Sequence, residues 1–167
     1  PDVAAPGWRE DNMLEAVSLR PAGTELVRTW RHRAEVDRSD VATEAELGKR
    51  DSVAARTVAK RLKAGREAFL QVVDFVAGNT KASPNAVFAG SVPYLMLAGN
   101  LVAGWQLGRA LLVAEDKAAA GEDVDFMQAK IATARFYADH ILTKVPGLRD
   151  TIVEGGDSVS GLALDAF

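Results

Sequence analysis

Twenty-seven consecutive positions, Ala82 to Gly108, separate Lys81 from Arg109 without one charged side chain. About 20 apolar residues in a helix span a bilayer, so the run is long enough to cross one. Its make-up argues otherwise. Asn85, Ser91, Pro93, Asn100 and Gln106 dilute its apolar character, and Ala86, Ala89, Gly90, Ala98, Gly99, Ala103, Gly104 and Gly108 are small enough to let helices approach closely. A helix apolar on most of its surface is one that other helices surround. The run therefore predicts the central, buried helix of a bundle and not a membrane span.

The rest of the composition agrees with a soluble domain. Of 167 residues, 48% are hydrophobic and 26% charged, too apolar for disorder and too charged for a polytopic membrane protein. The length suits one domain with its own core. Cysteine is absent, which excludes a disulfide framework, thiolate catalysis and sulfur-ligated metals, and points to a reducing, cytoplasmic home. Net charge is -3; residues 1 to 80 hold 13 basic and 13 acidic side chains, and residues 81 to 167 hold 7 and 10. Neither half has the basic excess of a nucleic-acid binder. Pro1 to Arg9 carry no signal-peptide pattern, and a chain opening on Pro1 is expected to begin inside a longer polypeptide or after processing.

Helix signals recur along the chain and strand signals do not. Pro6-Gly7 and Pro21-Ala22-Gly23 bracket a short helix over Asp11 to Leu19, and another is expected from Thr24. Thr43 with Glu46 fits a capping box, predicting a helix from there through Asp51 and Ser52 to about Asn79. Val58, Leu62, Gly65, Phe69, Val72 and Val76 form its apolar face. Ser83-Pro84 opens the uncharged helix, which should reach about Ala120 with a kink or break near Ser91 caused by Pro93. Asp123 begins the next, with Val124, Met127, Ile131, Ala134, Ala138 and Ile141 on one face, ending at Val145-Pro146-Gly147. A short helix over Leu148 to Glu154 then stops at Gly155-Gly156, before a tail from Asp157 to Phe167. The fold predicted is all-α: an antiparallel bundle of three to four long helices plus short ones, with an irregular lead-in over 1–50 and the bundle proper over 51–167.

Catalytic chemistry is sparse. His32 and His140 are isolated, no Glu-x-x-His pair occurs, and no metal site is expected. Gly155 to Gly161 fits neither a phosphate loop, lacking a lysine, nor a nucleophile elbow, and is read as a helix stop followed by a serine cap. Lys49, Arg50, Arg56, Lys60, Arg61, Lys63 and Arg66 make a partial basic stripe, a solvated face that could alternatively meet a phosphate-bearing ligand, or an acidic partner if the chain were a free-standing interaction module. Tyr94, Trp105, Phe136 and Tyr137 could line a pocket, though aromatics at helical spacing more often pack a core or an interface.

Longer stretches carry a resemblance. Ser91-Val92-Pro93-Tyr94-Leu95-Met96-Leu97-Ala98-Gly99, then Gly104-Trp105-Gln106-Leu107-Gly108-Arg109-Ala110, resembles the central helix of the extra C-terminal domain found in a subgroup of bacterial acyl-CoA dehydrogenases. Lys130 to Ala138, the Pro146-Gly147-Leu148 break and the ending Leu162 to Phe167 are similar too. The likeness is good over Ser83 to Phe167, weaker over Asp51 to Ala82, and does not place residues 1–50. The resemblance implies a parent enzyme that uses FAD to remove the α and β hydrogens of an acyl-CoA thioester, with a glutamate base and the flavin N5 as hydride acceptor. Members of the subgroup take acyl-CoAs of various lengths, some a methylthio-propionyl-CoA. That glutamate and the flavin-contacting stretch would lie upstream of Pro1, so the resemblance implies no catalytic residue here and leaves any cofactor contact unassigned. The partners it implies are the catalytic part of the same polypeptide and further copies in a homo-oligomer. Such a domain, taken alone, should present an apolar docking patch.

Overall fold

The computed structural model describes residues 41–161. The helices expected over Asp11 to Leu19 and from Thr24, together with His32 and the ending Leu162 to Phe167, lie outside the described residues. Residues 41–48 are helical (α1), followed by α2 (Val53–Asn79), α3 (Pro84–Ala89), α4 (Ser91–Ala119), α5 (Val124–His140), a 3-10 turn over Leu142–Lys144, α6 (Val145–Glu154) and α7 (Gly156–Ser160). No strand occurs among the described residues, and the fold is an all-α bundle.

The single helix expected from Thr43 to Asn79 is two. Ser52 ends the first by capping the second: its backbone is extended, and its hydroxyl accepts from the Ala55 amide at 2.9 Å. A serine that satisfies a first-turn N–H in this way starts a helix. Thr43 is therefore not a cap. It sits inside α1, 7% exposed, where its hydroxyl accepts from the Trp105 indole.

The break expected near Ser91 falls at Gly90, between α3 and α4. Pro93 thereby occupies the first turn of α4, where a missing N–H costs nothing. Gly90 is fixed by a close approach: an added Cβ would meet Ile152 Cγ2 of α6 at 2.9 Å. Helix α4 ends as the sequence implies. Gly121 takes φ +78, its amide bonds to the Ala118 carbonyl and the Glu122 amide to that of Lys117, a Schellman stop. Pro146, expected to end a helix, instead lies in the first turn of α6, where its fixed φ is at home. At the far end Gly156 begins a one-turn helix in place of a stop, and packs on Ala86 of α3.

Helices α2 and α4 run antiparallel. Arg50, just before α2, meets Asp116, Leu62 lies by Gly108, Gly65 by Leu101 and Phe69 by Tyr94, so successive contacts run oppositely along the two helices. The short connection after α4 returns α5 alongside it, and α6 closes one end through Val145, Ile152 and the Arg149 bond to Gln71. The core between them holds Leu47, Val58, Leu62, Val72, Leu97, Leu101, Leu111, Leu142 and Ile152, all 2% exposed or less. Each such side chain contributes about 1.5–3 kcal/mol relative to exposure. The apolar face read from Val58 to Val72 is this core face.

Candidate docking surface

Helix α4 is not the surrounded helix the uncharged run led us to expect. Leu97, Leu101, Gly104, Gly108, Leu111 and Ala114 face the core. The opposite side faces solvent: Val92 is 67% exposed, Leu95 72%, Met96 55%, Val102 48% and Val113 55%. Exposed Gly99, Gln106 and Ala110 fill the positions between them at three- and four-residue spacing. Both sides of the helix are apolar, and only one is covered. The open stripe from Val92 to Val113 is about 30 Å long at 1.5 Å per residue. Phe88 on α3, 66% exposed, extends the apolar surface four residues earlier in the chain.

At its C-terminal end the stripe enters an open groove of about 730 Å³ between α1, α4 and α5, with Val113, Phe126 and Met127 in its lining. Three cations stand around it: Arg109, Lys117 and Lys130. Arg109 lies over the Trp105 ring at 5.5 Å and bonds Gln106, Lys130 lies over the Phe126 ring at 5.1 Å, and Lys117 pairs with Glu122 at 2.6 Å. The one carboxylate in the lining, Glu46, is held by Lys49 at 2.6 Å. Among the described residues neither Arg109 nor Lys130 has an acidic partner.

The other sequence candidates do not converge. Tyr94 packs on Phe69 with centroids 6.0 Å apart, Trp105 bonds Thr43, Tyr137 donates to the Asn100 carbonyl, and exposed Phe136 rests on His140 at 4.5 Å. Burial raises the pKa of both Tyr94 and Tyr137, as expected for phenols packed against a core. His140 ends α5, and among the described residues no cluster suited to a metal is formed. The basic stripe is divided by internal pairing: Arg50 bonds Asp116 twice, at 2.5 and 3.1 Å, Lys49 bonds Glu46, and Arg66 bonds Glu44 at 2.9 and 3.3 Å. No described helix is long and apolar enough to cross a membrane.

Among the described residues the bundle brings no convergent set of reactive groups together, and it bears one long exposed apolar face. Sequence comparison places it. The chain belongs to the family described as acetyl-CoA dehydrogenase C-terminal like, which matches residues 24–163. It is 44% identical over 149 residues to the 3-methylmercaptopropionyl-CoA dehydrogenase of Ruegeria pomeroyi, a match covering 89% of this chain and 24% of that enzyme. It is also 38% identical over 81 residues to the broad-specificity linear acyl-CoA dehydrogenase FadE5 of Mycobacterium tuberculosis, covering 47% of this chain and 13% of that enzyme. The matched stretch spans about a quarter of the first relative and less of the second.

Val92, Leu95 and Met96 lie in the uncharged run that predicts a buried helix. The signal that could have separated them is quantity: a helix packed on one side needs apolar residues on about half its positions, and 27 uncharged residues supply two faces.

Proposed function

We propose that this chain is the appended C-terminal domain of an FAD-dependent acyl-CoA dehydrogenase, that the parent enzyme performs the α,β-dehydrogenation of an acyl-CoA thioester, and that the domain supplies no catalytic residue. Its role is structural: it packs against the catalytic part of the same polypeptide or at an oligomer interface. The observation that carries this role is the uncovered stripe of α4, with Leu95 its most exposed side chain. An apolar surface of that length on a folded domain marks an interface. The family match and the 44% identity to a 3-methylmercaptopropionyl-CoA dehydrogenase support the choice of parent. That thioester and linear acyl-CoAs are the substrates to assay first.

The described residues do not suit FAD. A dinucleotide needs amides grouped at a glycine-rich turn for its pyrophosphate and surfaces for its rings. Here the aromatics diverge and the glycines of α4 lie within a helix. We therefore assign the flavin to the rest of the polypeptide and derive no step of the reaction from this chain. The lead-in is proposed to end near residue 50, at the break between α1 and α2, and the protein is proposed to work in the cytoplasm, in keeping with its lack of cysteine. Expressing the longer polypeptide and this chain side by side tests the reading. The longer protein should hold flavin and dehydrogenate an acyl-CoA with an artificial electron acceptor, and the chain alone should do neither. Flavin bound to the chain alone, or turnover by it, contradicts the reading.

A further inference from the structure

Resting on that assignment of the parent, we propose that the outward stripe of α4 is the seam on which a helix of the catalytic region docks, and that this helix is apolar along most of its length with carboxylates at the end that meets Arg109 and Lys130. Three features define the occupant. The stripe carries no charge from Val92 to Gln106, so its partner there must be apolar: a charged group facing it would lose water without gaining a partner. Gly99 sits mid-helix at the centre of the exposed stripe, and a Cβ added to it would have no heavy atom within 4 Å. Glycine there costs the isolated helix stability and serves no packing inside this domain; it leaves room for another backbone to cross closely. At the C-terminal end the apolar floor continues past Val113 to Phe126, but the rim becomes cationic.

That asymmetry also decides against a second copy of the chain. An antiparallel copy would lay its uncharged half over Arg109 and Lys130, since Ala82 to Gly108 hold no carboxylate, and a parallel copy would bring Arg109 against Arg109. Neither pairing gives the cations a partner. A catalytic region can, because the matched stretch is only 24% of the related enzyme and leaves ample sequence to supply such a helix.

The test is photo-cross-linking in the longer polypeptide with p-benzoyl-phenylalanine at position 95, in a mixed preparation of light- and heavy-isotope protein. The expected result is a product joining position 95 to an apolar helix of the catalytic region. The same reagent at position 113 should reach the acidic end of that helix. Met96→Glu in the position-95 protein should abolish the product. Three results overturn the proposal: a product joining α4 of one copy to α4 of another, a product to residues 1–40 of this chain, or quenching by water alone. Flavin absorbance and dehydrogenation measured on the same sample report separately on the enzymatic reading, whichever product forms.

Discussion

The indole N–H of Trp105 on α4 donates to the hydroxyl of Thr43 on α1 across 2.8 Å, and Thr43 is 7% exposed. This bond fastens the first described helix to the longest one, and the Arg50–Asp116 pair ties the connection that follows it to the same helix. Thr43→Val keeps the shape and removes the acceptor. A hydrogen bond lost from a buried site costs about 1 kcal/mol, more if the donor is stranded. Thr43→Val should lower stability by about 1–2 kcal/mol and Thr43→Ser by less, read from urea unfolding followed by circular dichroism.

Two glycines of α4 should respond oppositely to alanine. A Cβ on Gly104 would meet Leu142 Cδ2 at 2.7 Å and Cδ1 at 2.8 Å, and Leu142 is itself buried, with little freedom to yield. Gly104→Ala should cost about 1–3 kcal/mol. Gly99 meets nothing, so Gly99→Ala should raise the stability of this chain by about 0.5–1 kcal/mol through helix propensity. Thermal unfolding of the two variants in parallel checks the contrast.

Arg66 and Glu44 make a two-pronged pair with side chains 16% and 13% exposed. Removing one charge leaves the other largely enclosed. Arg66→Met should destabilise by about 1.5–3 kcal/mol. Arg50→Met, at the more open pair with Asp116, should cost less, because water and salt screen that pair. Repeating both measurements at high salt should shrink the second effect more than the first.

Acid should weaken the fold through named groups. The hydrogen bond from Arg50 holds the Asp116 carboxyl below its ordinary pKa, and that from Lys117 does the same to Glu122. A carboxyl depressed in the folded state stabilises above its unfolded pKa, and that contribution is lost as pH falls through the folded value. The melting temperature should hold through neutral pH and fall below about pH 4. In Asp116→Asn the acid-side fall should be shallower.

The long helices were legible because their signals are local. The Val58 to Val72 periodicity marks the buried face of α2, Asp123 precedes α5, and Gly121 stops α4 in the left-handed conformation that glycine adopts freely. Two boundaries were misread where two signals competed: Ser52 capped a helix that Thr43 seemed to have opened, and Pro146 began one that it seemed to end. The exposed apolar face of α4 was hidden for a different reason. Periodicity reveals a buried face by contrast with a polar one, and between Val92 and Gly108 there is no such contrast. Which apolar side is covered depends on contacts with α2, α5 and α6, and no local pattern encodes them.

The most direct test of the account compares one substitution in two settings. Leu95 is exposed in this chain and is assigned to a covered seam in the parent enzyme. Leu95→Lys should change the stability of the 167-residue chain by no more than about 0.5 kcal/mol, as surface substitutions do. In the longer polypeptide it should loosen the docked domain by about 2 kcal/mol or more, seen as faster hydrogen exchange or earlier melting of α4. Equal effects in the two settings would contradict the claim that this domain exists to be packed against.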